Sequence, residues 1–209
     1  KDETLGIRLW AMIRKSSEEM KGRLSSIKTI DAGDHFFTCR AIKTEIDGAL
    51  GSYGAWLLES YSDKPDFVGQ NTTELSEVKA IGKLAEKNDM QLCIHTIGDR
   101  GNQEILNLIE KDFPASKDKR WRMEHAQHLA VSDIPRFADL GVIASMQAIH
   151  CTSDSPFVVA RLGEERARTG AYPWRSLLDA GAVVTNGTDA PVEDVDPIAS
   201  YHATVTRKR

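Results

Sequence analysis

The strongest constraint on this chain is an alternation. Short apolar runs rich in β-branched residues are separated by segments of helical period. The runs are Ile7–Ile13, Phe36–Ile46, Met90–Thr96, Trp121–Gln127, Gly141–Gln147 and Ala182–Thr185. Between them, Thr73–Asn88 puts Leu75, Val78, Ile81, Leu84 and Ala85 on one helical face. Asn102–Lys111 carries Ile105, Leu106, Leu108 and Ile109 and stops ahead of Pro114, which cannot continue a helix. Ser132 is placed to cap a helix with Pro135 in its first turn, ending through Leu140 at Gly141. Pro173–Ala180 repeats that device before Gly181, and Pro197 to about Thr206 reads as a last helix. Strand and helix in strict turn, with short joints, predict an α/β fold on a parallel sheet. One long irregular piece, residues 47–72, is expected to face a substrate, with Trp56, Tyr61 and Phe67 walling a pocket.

Composition excludes several classes of function. With 27 basic and 31 acidic groups the net charge is -4, which does not favour a protein that grips a nucleic-acid backbone. The terminal Arg207-Lys208-Arg209 is too small to reverse that balance. No apolar run approaches the roughly 18 residues of a transmembrane helix. No signal-peptide pattern stands at residue 1, so the compartment is unassigned, with the cytoplasm as default. Cys39, Cys93 and Cys151 form no CxxC; the first two sit in apolar runs as small buried thiols. Cys151 follows His150 at an expected strand end, where neighbours point to opposite faces, and this argues against a Cys-His nucleophile.

The chemistry-bearing residues collect just past the apolar runs. His95 ends one run and His125 the next; His150 follows the third, and Asp189 follows the last. In parallel α/β enzymes the C-terminal strand ends carry the active site. Imidazole and carboxylate converging there suit a divalent metal that activates water. Taken singly, each histidine is as readily a core residue, and Asp189 is as readily a cap. The repeated placement carries the reading. His128 is expected at the surface or behind the site, and His35 and His202 are expected to be structural or solvated.

The blocks Lys43-Thr44-Glu45-Ile46-Asp47-Gly48-Ala49-Leu50-Gly51-Ser52, His95-Thr96-Ile97-Gly98-Asp99-Arg100, Met123-Glu124-His125-Ala126-Gln127, Gly141–Gln147 and Asn186-Gly187-Thr188-Asp189 resemble the amidohydrolase superfamily. Within it they look like the branch that includes N-substituted formamide deformylase. The resemblance spans roughly residues 36–206 and implies a (β/α)8 barrel. By motif, Lys43 is the strand-four lysine, often carboxylated, His95 and His125 are ligands on strands five and six, and Asp189 is the strand-eight aspartate. His150 is implied to be a pocket histidine. Alternation puts Ala41, Lys43, Glu45 and Asp47 on one face, so Glu45 and Asp47 are expected behind the metal or at the substrate. Two departures are Glu45-Ile46, where the family has an aromatic-Ala pair, and Thr188, where it has Ser. The family's first-strand His-x-His is absent from the chain.

The resemblance implies hydrolysis of a carbon–nitrogen bond other than a peptide bond, in a small amide-like or cyclic-amide substrate. One or two divalent ions, Zn first and Mn or Fe as alternatives, activate the water. Asp189 is the expected base, and His150 or Arg100 the group that steadies an oxyanion or a substrate carboxylate. A heterocycle deaminase and a non-catalytic binding module remain open on the same residues. A full barrel takes about 250 residues, so residues 1–209 are expected to form a single partial barrel domain carrying strands three to eight. The expected partners are the remainder of its own polypeptide or a complementary chain, and a homo-oligomer is also open.

Overall fold

The computed structural model describes residues 6–208. The elements, in order, are β1 (Leu9–Ile13), α1 (Ser17–Met20), α2 (Leu24–Ile27), β2 (Thr29–Asp31), α3 (Ala32–His35) and β3 (Phe37–Glu45). Then come α4 (Leu75–Lys87), β4 (Gln91–Thr96), α5 (Asp99–Asp112), β5 (Arg122–His125), α6 (Ile134–Leu140), β6 (Ile143–Met146) and α7 (Ala148–Ser153). The remainder is α8 (Ser155–Leu162), α9 (Glu164–Gly170), α10 (Trp174–Asp179), β7 (Val184–Asn186) and α11 (Pro197–Thr206).

The strands line up in the order β1-β3-β4-β5-β6-β7, each parallel to its neighbour, and β2 adds an antiparallel contact to β3. The sheet curls into a half-barrel of six strands. Among the described residues β1 and β7 are its two edges.

Period-two alternation decides what each face carries. Ile42, Leu92, Ile94, Met123, Ala144 and Met146 point outward and meet Val78 and Ile81 of α4, Ile105 and Ile109 of α5, Phe137 of α6 and Leu177 of α10. All are almost wholly buried, and each contributes roughly 1.5–3 kcal/mol relative to exposure, Ala144 less. The intervening residues line the concave face. Register sets Lys43, Cys93, Arg122 and Ile143 on one rung, and Glu45, His95, Glu124 and Ser145 on the next. A barrel interior is ordinarily packed with branched apolar side chains. This one is charged, and Arg122 pairs with Glu124 at 2.7 Å while Arg14 pairs with Glu45.

The helix stops follow the expected chemistry, and one start does not. Gly141 closes α6 with φ 67, in the left-handed region that glycine enters freely. Asp196 caps α11 by accepting from Ile198 N at 2.8 Å. Ser132, however, does not cap α6. It lies inside a single 3-10 turn, Val131–Asp133, and Asp133 precedes the helix without a side-chain cap bond. Its carboxylate is held by Arg136 at 2.9 Å and Gln103 at 3.1 Å instead. Cys151 is not at a strand end either: β6 stops at Met146, and His150 and Cys151 lie on α7.

Residues 47–72 contain no helix or ladder strand, as expected, and their aromatic residues pack largely into the core. Tyr61 is buried and donates to the carbonyl of Ala55 at 2.8 Å. Tyr53 and Phe67 pack with it against Leu162 and Tyr172 in a second core. Trp56 packs against the main core, and its carbonyl accepts from Arg100 N and Gly101 N at the start of α5. This close approach requires Gly98, where a Cβ would fall 2.1 Å from the Trp56 carbonyl oxygen.

Candidate metal and catalytic site

His95 is the fifth residue of β4 and projects to the concave face by alternation. His125 ends β5 directly after the inward-facing Glu124, so alternation alone would turn it toward the core. Its backbone prevents that. His125 has φ 74 and Ala126 φ 41, and the left-handed turn re-aims the imidazole inward. The ring centroids of His95 and His125 come to 4.5 Å, edge to face. A strained strand end at a cluster of polar groups is where strain usually serves function.

The chain then supplies two further groups. His150, on α7, brings its ring centroid to 5.9 Å from that of His125. Asp189, beyond β7 and also in the left-handed region at φ 57, has Oδ2 3.4 Å from His150 Nε2. One ligating atom from each of His125, His150 and Asp189 lies within 4.8 Å of the others. Lys43 sits one rung deeper than His95, half-buried, with Nζ 3.2 Å from the Thr44 carbonyl oxygen.

Electrostatics separates these groups. Burial, with His125 and Lys43 adding to it, pushes the His95 pKa down to about 3. Burial takes His125 to about 4 despite the attraction of Asp189. His150 differs: burial opposes its charging, yet hydrogen bonds with Asp189 and Glu193 outweigh it and raise its pKa. The bond to His150 holds the Asp189 carboxyl below its ordinary value. Burial lowers Lys43, with Glu124 its strongest opposing charge. At neutral pH the site therefore offers two neutral imidazoles and an ionised carboxylate, the protonation states that ligate metal.

The donor set fits a divalent ion on a further observation. His95 Nε2 and His125 Nδ1 are buried and have no hydrogen-bond partner. Buried polar atoms are nearly always satisfied, so two unpartnered ring nitrogens on neighbouring histidines fit a bound ligand.

The other expected residues fall elsewhere. Arg100, on the first turn of α5, has its guanidinium 4.7 Å from the centroid of Trp56 and its Nε 3.8 Å from Glu104. It does not join the cluster. Asp47 lies past the end of β3, and its carboxylate accepts three backbone N–H bonds, from Trp56 and Ile97 at 2.9 Å and Gly98 at 2.7 Å. His95 Nε2 is 3.9 Å away, beyond hydrogen-bond reach, so Asp47 fixes the loops around the site and holds no ligand. Glu45 faces inward but is engaged by Arg14. His128 is buried, not at the surface, with its Nε2 3.2 Å from Gln127 Nε2 and its ring edge to face with Tyr172. His35 and His202 are exposed.

Two residues escaped the sequence reading. Glu124 could have been found by counting alternate positions back from the strand end, which places it beside His95. Glu193, whose Oε1 is 3.3 Å from His150 Nδ1, gave no signal, because it belongs to an irregular segment with no period to read.

A curled parallel sheet with histidines and an aspartate at its C-terminal ends defines a partial (β/α)8 barrel with the features of a metal-dependent hydrolase. The whole chain, residues 1–209, matches the model of the amidohydrolase family, and the chain belongs to that family. It is similar to the crystal structure of an uncharacterized metal-dependent hydrolase from Pyrococcus horikoshii OT3, with 31% identity and a TM-score of 0.84 over 96% of this chain and 39% of that one. It is 38% identical over 168 residues to Protein LONG AFTER FAR-RED 3 of Arabidopsis thaliana, covering 79% of this chain and 29% of the relative. N-substituted formamide deformylase of Arthrobacter pascens is 25% identical over 229 residues, 95% of this chain and 42% of the relative. The chain thus spans about a third of the length of these curated relatives. No helix among the described residues is long and apolar enough to cross a membrane.

Proposed function

We propose that this chain carries the C-terminal-strand half of a metal-dependent amidohydrolase site and serves hydrolysis of an amide or cyclic amide other than a peptide bond. The observation that carries the reading is the convergence of His95, His125, His150 and Asp189 at one strand-end cluster, with two buried ring nitrogens left open. His95, His125 and Asp189 would hold the ion. Lys43 would join them as a carbamate, which its inward position and burial-lowered pKa favour. Zinc suits imidazole and carboxylate donors best, with Mn or Fe as alternatives. A divalent ion bound there supplies Lewis acidity and lowers the pKa of water.

The protein's own groups account for the proton movements. Asp189, half-exposed and held ionised, takes a proton from the attacking water. As the carbon–nitrogen bond breaks, the same carboxyl returns that proton to the departing nitrogen, leaving a carboxylic acid and an amine. His150 Nε2, beside Asp189, is placed to hydrogen-bond the developing oxyanion. Arg100 is assigned at most to a substrate carboxylate at the rim, since its guanidinium lies over Trp56. The N-substituted formamide deformylase relationship favours N-acyl or N-formyl amines as substrates.

A hydrolysis screen over such compounds tests the reading, using the polypeptide of the complete reading frame purified without chelator. Release of amine that ends on chelation and returns with zinc is the expected result. Amine release unaffected by chelation, or none from any member of the screen, contradicts it.

A further inference from the structure

Glu193 contacts His150 at this site, and neither the family resemblance nor the proposed proton transfers give it a role. We propose that it is a positioning residue: it accepts the Nδ1 proton of His150 and so fixes the ring with Nε2 toward Asp189. The inference rests on the role proposed above for His150.

Several contacts converge on this assignment. Glu193 Oε1 is 3.3 Å from His150 Nδ1, while His150 Nε2 is 3.4 Å from Asp189 Oδ2, so the ring is held at both nitrogens. The Glu193 side chain is 9% exposed against 38% for Asp189, so of the two carboxylates Glu193 is the enclosed one. Ser153, one helical turn after His150 on α7, donates its hydroxyl to the same Oε1 and anchors the acceptor. An ionised carboxylate only accepts, so a bond at that oxygen requires Nδ1 to carry hydrogen. Nε2 is then the nitrogen turned toward Asp189 and the open side of the site.

A purely structural role for Glu193 is less economical, because α7 is already secured without it. Asn186 Oδ1 accepts from Ala148 N at 2.9 Å at the start of the helix, and Asn186 Nδ2 donates to Ser200 Oγ of α11 at 3.1 Å. Ala148 and Ile149 pack on Ala203 of α11. What these contacts leave undetermined is the rotation of the His150 ring, which Glu193 sets.

The test reads the tautomer of His150 directly, from long-range nitrogen–proton correlation spectra of protein labelled at histidine nitrogen, with His150→Gln supplying the assignment. The wild type is expected to show a protonated Nδ1. Glu193→Met, which matches length but accepts nothing, is expected to lose that preference, and Glu193→Gln, which retains an acceptor oxygen, to keep it. On an N-acyl amine substrate, Glu193→Met is expected to lower kcat about 10–100-fold, the usual cost of losing an outer-shell partner, at nearly unchanged KM. The same tautomer in wild type and Glu193→Met overturns the proposal, as does a Glu193→Gln enzyme as impaired as Glu193→Met. If Glu193→Met does not fold, Ser153→Ala loosens the same acceptor at little cost in volume, and an unchanged tautomer there is equally contrary. The spectra need no substrate, so a failure of the proposed reaction leaves this test standing.

Discussion

Asp47 and Asp189 each follow the end of a parallel strand, and the protein uses them in opposite ways. Asp47 is sealed from solvent, and both its oxygens are taken by the amides of Trp56, Ile97 and Gly98. Burial pushes its carboxyl up to about 7 even against those three donors. Asp189 is half-exposed, faces His150 and is pulled below its ordinary value by that contact. A strand-end position therefore brings a carboxylate to the correct end of the barrel and goes no further. What the carboxylate does depends on whether the following backbone folds over it, as residues 54–58 and 97–101 do around Asp47.

The comparison predicts a crossed pattern of effects. Asp189→Asn is expected to lower kcat by about 10²–10⁴-fold, the range for loss of a general base, with stability changed by less than about 0.5 kcal/mol. Asp47→Ala is expected to act on the fold: three amides lose their acceptor, for about 3 kcal/mol or more in urea unfolding. An Asp189→Asn protein that keeps its turnover, or an Asp47→Ala protein as stable as wild type, breaks the contrast.

A third effect is smaller and separates buried histidines by role. Burial lowers His128 to about 3, and its Nδ1 has no partner. Below about 6.5 the unfolded chain binds a proton there that the folded chain refuses. The contribution is thus whole above 6.5 and is lost as pH falls toward 3. Unfolding free energy should fall by up to about 1.4 kcal/mol per pH unit from this group alone. His128→Gln should flatten that slope, and an unchanged slope would show that His128 titrates normally. The smallest expected effect is at Arg100. Arg100→Ala removes a stacking contact over Trp56 worth about 0.5–1 kcal/mol and leaves kcat within about twofold. A large fall in kcat would bring Arg100 into the site.

How far these roles could be read in advance follows from period and chain distance. The strands and the helices α4, α6, α10 and α11 lay close to where periodicity and helix-stop residues placed them, α4, α6 and α10 because each buries one stripe against the main core and α11 because Pro197 and Asp196 set its start. His95 and His125 were legible as strand-end residues, although the turn that re-aims His125 was not, since no residue type requires φ 74 at a histidine. The helices α7, α8 and α9 went unread because short segments with mixed faces carry weak periodicity. Asp47 was expected behind the metal or at the substrate, and its capture by three loop amides had no signal in the sequence. Alternation ends with β3 at Glu45, and the loop that captures Asp47 depends on contacts with residues 50 positions later. Glu193 reaches His150 across 43 residues of chain, and only the fold joins them.

The central claim is that His95, His125 and Asp189 hold a divalent ion, and metal content tests it most directly. The polypeptide of the complete reading frame, purified without chelator, is expected to carry zinc, manganese or iron at one or two equivalents per chain, and His125→Ala, which removes one of the two histidine ligands, is expected to lose most of it. Wild-type protein that carries no such metal and takes up none on dialysis against zinc would contradict the account.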